Sequence, residues 1–162
     1  MKEIHLVRHA KSDWAGLLPD ISRPLCQRGI DDAVLVSQTL KKDHFQTQAI
    51  FASPSIRTQK TAAIFINELN LNHLPFSTET DLYDFSGEML IKTLQDLDQA
   101  YDNVLIFGHN HAVTYFVNTH TDHYFENIPT CGYVHLRFSV SRWKDLEKGV
   151  LLRKFFPKEL TL

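Results

Sequence analysis

Three short stretches of this 162-residue sequence concentrate side chains that bind and move charge. Arg8-His9-Ala10-Lys11-Ser12 follows the apolar run Ile4-His5-Leu6-Val7, and Ser53-Pro54-Ser55-Ile56-Arg57-Thr58 follows Ala49-Ile50-Phe51-Ala52. Gly108-His109-Asn110-His111 follows Val104-Leu105-Ile106-Phe107, the most strand-like run in the chain. Guanidinium groups present planar forks of N–H donors to oxyanions, and imidazole changes its charge close to neutral pH. If the three run ends are neighbours, two arginines and two histidines surround one cavity. Such a cavity suits a phosphoryl group, and helix N-termini beside it would add further N–H donors.

The elements that must position these residues alternate in type. After the first run, Ile30, Ala33, Val36 and Leu40 keep a 3.6-residue spacing, which predicts a helix beginning near Pro24 to Gly29. After the second, Ala62, Phe65, Ile66 and Leu69 predict another, with Pro54 in its first turn. Residues 75–80 read as a weaker extended segment, and Leu90, Leu94, Leu97 and Tyr101 line one face of a third helix. Gly108 ends the strand-like run and permits close backbone approach there. A short helix from Ala112 buries Val113, Phe116 and Val117, residues 119–130 are polar and irregular, and two closing strands occupy 134–140 and 150–156 around a turn near Gly149. Strands alternating with helices imply an α/β fold, a three-layer α/β/α sandwich. Its central sheet is mostly parallel, and the closing pair makes an antiparallel edge. In open sheets of this kind ligands gather beyond the carboxyl ends of the strands, where all three charged stretches fall.

Composition limits what such a site could serve. The length fits one domain over 1–162, and 43% hydrophobic residues with eleven phenylalanines supply a core. Seventeen basic and nineteen acidic side chains leave a formal charge of −2, so no bulk field gathers nucleic acid or anionic lipid. The first apolar run stops too early for a signal peptide, and nothing approaches the roughly 18 apolar residues of a membrane span, so a cytoplasmic location is expected. Cys26 and Cys131 are far apart and read as buried, reduced thiols.

With those residues in view, the sequence resembles the histidine phosphatase (phosphoglycerate mutase-like) superfamily. Leu6-Val7-Arg8-His9-Ala10-Lys11-Ser12, Ser53 to Ala62 and Gly108-His109-Asn110 look like its signature blocks. Asp20 to Gly29, with Arg23-Pro24-Leu25, and Ile128-Pro129-Thr130-Cys131-Gly132 resemble its short SixA-like phosphohistidine phosphatase branch. The resemblance implies a phosphoglycerate mutase-like fold in which His9 accepts the phosphoryl group, Arg8 and Arg57 grip its oxygens, and His109 donates to them as a cation. Nearby guanidiniums disfavour an imidazolium, which would help keep His9 nucleophilic. Ser12 and Asn110 are accessory phosphate candidates. The fixed positive charge would make a metal or other cofactor unnecessary. Ala10 stands where many relatives have glycine, and His111 where close relatives carry proline.

The substrate turns on a general acid. An ester expels an alkoxide, far more basic than imidazole with its conjugate-acid pKa of roughly 6.5, so P–O cleavage gains more from a donor. Asp84, in Leu82-Tyr83-Asp84, is the candidate acid, against a plain reading as a solvated loop or helix cap. Two enzymatic readings follow: a phosphohistidine phosphatase acting on a protein or a small phosphoramidate, and a phosphomonoesterase using Asp84. A catalytically silent phosphate-binding module is a third reading of another class. His109, His111, His120 and His123 invite a zinc site, but their spacing lacks the glutamate of a helical zinc-protease motif.

Overall fold

The computed structural model describes residues 1–160. In chain order the elements are β1 (Lys2–Arg8), α1 (Gln27–Lys42), β2 (Ala49–Ala52), α2 (Ile56–Glu68), β3 (Phe76–Thr78) and α3 (Glu88–Gln95). They continue with β4 (Asn103–Gly108), α4 (Ala112–His120), β5 (Tyr133–Phe138), β6 (Val150–Phe155) and the short α5 (Pro157–Leu160). The strands form one sheet in the order β3-β2-β4-β1-β5-β6. The pairs β3/β2, β2/β4 and β4/β1 are parallel, whereas β5 runs antiparallel to both β1 and β6. Register places Arg8 beside Gly108 and Leu6 beside Ile106.

The period of two sorts the strand side chains onto two cores. Ile4, Leu6, Val104, Ile106, Val134 and Leu136 meet Leu90 and Leu94 of α3 and Val113, Phe116 and Val117 of α4. Val7, Ile50, Ala52, Leu105 and Phe107 meet Ala33, Val36 and Leu40 of α1 and Ala62 and Phe65 of α2. Helices therefore cover both faces, as a buried parallel sheet requires. Each fully buried Phe or Leu contributes about 2 kcal/mol, which is what holds α2 and the Phe107 end of β4 together. There the Phe65 and Phe107 rings meet edge to face at 5.2 Å.

Several local expectations change. Pro54 lies outside α2, because Ser55 caps the helix by accepting from the Thr58 N–H at 3.3 Å. Helix α3 ends at Gln95, short of Leu97 and Tyr101, and Asp98 Oδ1 instead closes a tight turn on the Ala100 N–H at 2.8 Å. Ile30 is exposed, and Cys26 is only partly buried while Cys131 is fully buried. A side chain at Gly108 would meet only Val113, at an ordinary 3.8 Å, so close approach does not demand glycine there. Gly29 is different. A Cβ at that position would fall 2.2 Å from the Lys11 carbonyl oxygen, because the first turn of α1 packs directly on the loop after β1.

Candidate active site

The parallel strands β1, β2 and β4 end on the same edge of the sheet, and each end delivers part of the site. His9 follows β1 directly, and its N–H bonds to the Gly108 carbonyl of β4 at 3.0 Å. Arg57 sits in the first turn of α2, where the Ser55 cap holds the helix start. His109 follows β4 and its ring lies 5.2 Å from that of His9. Sequence separations of 48 and 52 residues collapse here: Arg57 Nε faces His9 Nε2 and Arg57 Nη2 faces His109 Nδ1, each at 3.3 Å.

Hydrogen bonds select the imidazole tautomers. His9 Nδ1 lies 2.7 Å from the Ala10 carbonyl, which can only accept, so Nδ1 carries the proton and Nε2 presents a lone pair. His109 Nδ1 receives the Arg57 N–H, leaving Nε2–H to donate to Ser53 Oγ at 2.8 Å. Both rings are held neutral. Burial lowers His9 to about 4, helped by Arg57, Arg8 and Arg23 and opposed by the bond to Ala10. Burial, His9 and Arg57 lower His109 to about 3. At His109 desolvation outweighs the nearby Asp20 charge; the expected cation concerns a ring that faces a phosphoryl dianion. Burial and Arg57 also lower Arg8.

Arg8 reaches back with Nη1 to the Ile128 carbonyl at 2.8 Å. The loop before β5 is pinned in turn, since the Ile128 N–H bonds to Thr114 Oγ1 at 3.0 Å. Asn110, expected at the phosphate, serves this scaffold: its Oδ1 accepts from the Thr114 N–H and hydroxyl, and its Nδ2 donates to Asn127 Oδ1. Ser12 likewise turns its Oγ to Arg23 Nε at 2.9 Å. Neither side chain is spent on the space between the two imidazoles.

Of the two readings of Asp84, general acid or loop and helix cap, its contacts are those of the cap. Its Oδ1 accepts from the Ser86 N–H and hydroxyl, and its Oδ2 from the N–H groups of Gly87 and Leu90 at the start of α3. Burial pushes the carboxyl up, but these backbone and hydroxyl donors outweigh it and hold the group below its ordinary range. A general acid must be protonated and free to reach the leaving group, and a carboxylate anchoring a helix start is neither. His120 and His123 turn to different aromatic partners. His120 stacks on Phe116 at 4.2 Å and His123 on Phe125 at 6.3 Å. Among the described residues no three His, Cys, Asp or Glu side chains gather as metal ligands would.

Sequence reasoning missed the side chains that complete the surroundings. Asp20, on a short 3-10 turn, accepts from Arg57 Nη2 at 3.0 Å, Arg23 Nη1 at 2.8 Å and Tyr83 Oη at 2.5 Å. Tyr83 and Phe85 place their rings 5.3 and 4.9 Å from that of His109.

Comparison with known proteins fits this geometry. The family model for the histidine phosphatase superfamily (branch 1) matches residues 4–90, and the chain belongs to that family. A 2,3-bisphosphoglycerate-dependent phosphoglycerate mutase from Methylobacterium radiotolerans is 33% identical over 90 residues, which are 51% of this chain and 42% of the mutase. The chain therefore matches less than half the length of that relative. The protein histidine phosphatase SixA complexed with tungstate superposes with a TM-score of 0.83 at 20% identity, covering 98% of this chain and 99% of that one. A structure assigned as the phosphohistidine phosphatase SixA of Agrobacterium tumefaciens gives 0.80 at 17% identity, covering 95% and 97%. The α/β fold is the one these proteins share, a six-stranded mixed sheet between helices.

Proposed function

We propose that this chain is a phosphatase that forms a phosphohistidine at His9 and prefers a phosphorylated histidine, on a protein or in a small phosphoramidate, over phosphate esters. The observation that carries the reading is the His9 Nε2 lone pair, fixed by the Ala10 carbonyl and facing Arg57 at 3.3 Å. Nε2 attacks phosphorus and the substrate's P–N bond breaks, the departing imidazole taking a proton from solvent. Water then attacks the enzyme's own P–N bond, releasing inorganic phosphate and the neutral His9 ring. Arg8 and Arg57 hold the phosphoryl oxygens through both steps. A phosphoryl dianion also reverses the balance at His109, whose Nδ1 would then take a proton and donate to an oxygen. Arginine and imidazolium supply the positive charge, so the reaction needs no divalent ion.

The preference for P–N bonds follows from Asp84. With that carboxylate anchoring α3, expulsion of an alkoxide has no evident donor, while imidazole leaves with a proton from water. Rapid quench with labelled phosphohistidine should trap a phosphoenzyme that is labile in acid and stable in alkali, absent in His9→Ala. Arg57→Ala should lower kcat by about 10²- to 10³-fold, and EDTA should leave the rate intact. A label that survives His9→Ala removes the mechanism. Esters turned over tenfold better than phosphohistidine remove the substrate assignment.

A further inference from the structure

The loop between β1 and α1 lays an acidic side chain on the cation that this reaction uses. Arg57 gives Nη1 to the Asp20 carbonyl at 2.6 Å and Nη2 to Asp20 Oδ2 at 3.0 Å. Nη2 also faces His109 Nδ1, and Nε faces His9 Nε2, so every nitrogen of the guanidinium is engaged. A phosphoryl group on His9 Nε2 would need donors from this same edge of the fork. Asp20 Oδ2 therefore stands beside the position of a phosphoryl oxygen. It is a charged competitor, since the bonds from Tyr83 and Arg57 outweigh the upward push of burial and hold Asp20 at about 2.

The segment that carries Asp20 has few other anchors. The Asp20–Ser22 turn buries none of its residues, and Trp14, Leu17 and Leu18 are 74%, 105% and 53% exposed. What fixes it is polar: Asp20 on Arg57, Arg23 and Tyr83, and Arg23 on Ser12. Trp14 joins the same network, with the Arg23 guanidinium 3.6 Å from its ring centroid.

We propose that Asp20 is a specificity-determining competitor for the phosphoryl group: its carboxylate holds Arg57 until a phosphoryl dianion displaces it, and the exchange loosens the segment from Trp14 to Ser22. The proposal rests on the reading of Arg57 as a phosphoryl ligand. A carboxylate and a phosphoryl dianion claim the same N–H groups, and two anions a few ångströms apart repel. The apparent affinity is the intrinsic one multiplied by the fraction of molecules in which Arg57 is released. Dianions, with more charge and three oxygens, displace Asp20; monoanions do so poorly. The site thus selects against carboxylates and phosphodiesters.

Inorganic phosphate is the probe, titrated by calorimetry and by Trp emission into wild type, Asp20→Ala, Asp20→Asn, Arg57→Ala and Trp14→Phe. The expected result is phosphate binding about tenfold tighter in both Asp20 variants, with acetate inhibition strengthened as well. Trp emission should change on saturation in wild type and stay constant in Trp14→Phe, because the other tryptophan, Trp143, is buried in the core. Weaker or unchanged phosphate binding in Asp20→Ala, with Arg57→Ala still weakened, overturns the proposal and makes Asp20 a positioning residue for Arg57. Emission that does not respond to phosphate overturns the loosening of the segment. Phosphate binding unaffected by Arg57→Ala instead removes the underlying reading of the site.

Discussion

At the scale of single residues, the same side-chain type serves opposite purposes according to what donates to it. Asp84 and Asp20 are both carboxylates held below their ordinary range, yet one is satisfied by the N–H groups and hydroxyl of its own loop and the other by Arg23, Arg57 and the Tyr83 phenol. Asp84→Ala strands the N–H groups of Gly87 and Leu90, which should cost about 1 to 3 kcal/mol in denaturant unfolding. Because Asp84 touches no reacting atom, kcat of the folded variant should stay within about twofold of wild type; a hundredfold fall would restore it as an acid. That His9, Arg8, Arg57 and His109 lie together was legible in the sequence because each stands within two residues of the end of an apolar run or of a helix start. Asp20 was not, since its decisive partners lie 37 and 63 residues away, at Arg57 and Tyr83. The partners that Ser12 and Asn110 take, Arg23 for one and Thr114 and Asn127 for the other, were not legible for the same reason: adjacency to a signature says nothing of where a short polar side chain turns.

At the scale of elements, the site depends on how closely α1 approaches the loop after β1. The Cys26 N–H bonds to the Lys11 carbonyl at 3.1 Å, and Gly29 leaves the gap that this contact needs. Gly29→Ala should push the helix start outward, costing about 1 to 3 kcal/mol despite alanine's better helix propensity. The displaced Lys11-Ser12 backbone should also loosen Arg23, so kcat/KM should fall more than that of Gly16→Ala, where a Cβ has 3.6 Å of room. Equal stability and activity in the two variants would refute the packing argument. The central strands could be read in advance because burial on both faces demands continuous apolar runs. Helix ends could not. The leucine spacing runs on past Gln95, but the Asp98 turn competes locally for the backbone and wins. Ser55 rather than Pro54 starts α2 because its hydroxyl satisfies an otherwise orphaned N–H.

At the scale of the whole molecule, buried histidines set the response to acid. His5 and His135 face each other across β1 and β5 with ring centroids 4.1 Å apart, and both are buried. Around them stand Tyr133, whose hydroxyl is 2.6 Å from His5 Nδ1, Glu3 at 3.3 Å from His135 Nε2, and Arg153 paired with Asp43. Burial is the main cause that lowers both rings from 6.5, with Arg153 adding to it and Glu3 opposing it at His135. A histidine lowered in the folded state binds its proton more readily when unfolded, so its stabilisation is complete above pH 6.5 and declines as pH falls below that value. His9 and His109, at about 4 and 3, extend the same loss further down. Melting temperature should therefore drop steadily from pH 7 to pH 4, and less steeply in His135→Leu; parallel curves would exclude the pair as its source. The strand order carries a consequence for how the molecule is made. β1, which holds Arg8, pairs with β4 on one side and β5 on the other, partners that begin at Asn103 and Tyr133. A chain emerging from the ribosome keeps this apolar strand without a neighbour until Gly108 at the end of β4 is out, so assembly is slow and late, and nascent or truncated chains are left prone to aggregate.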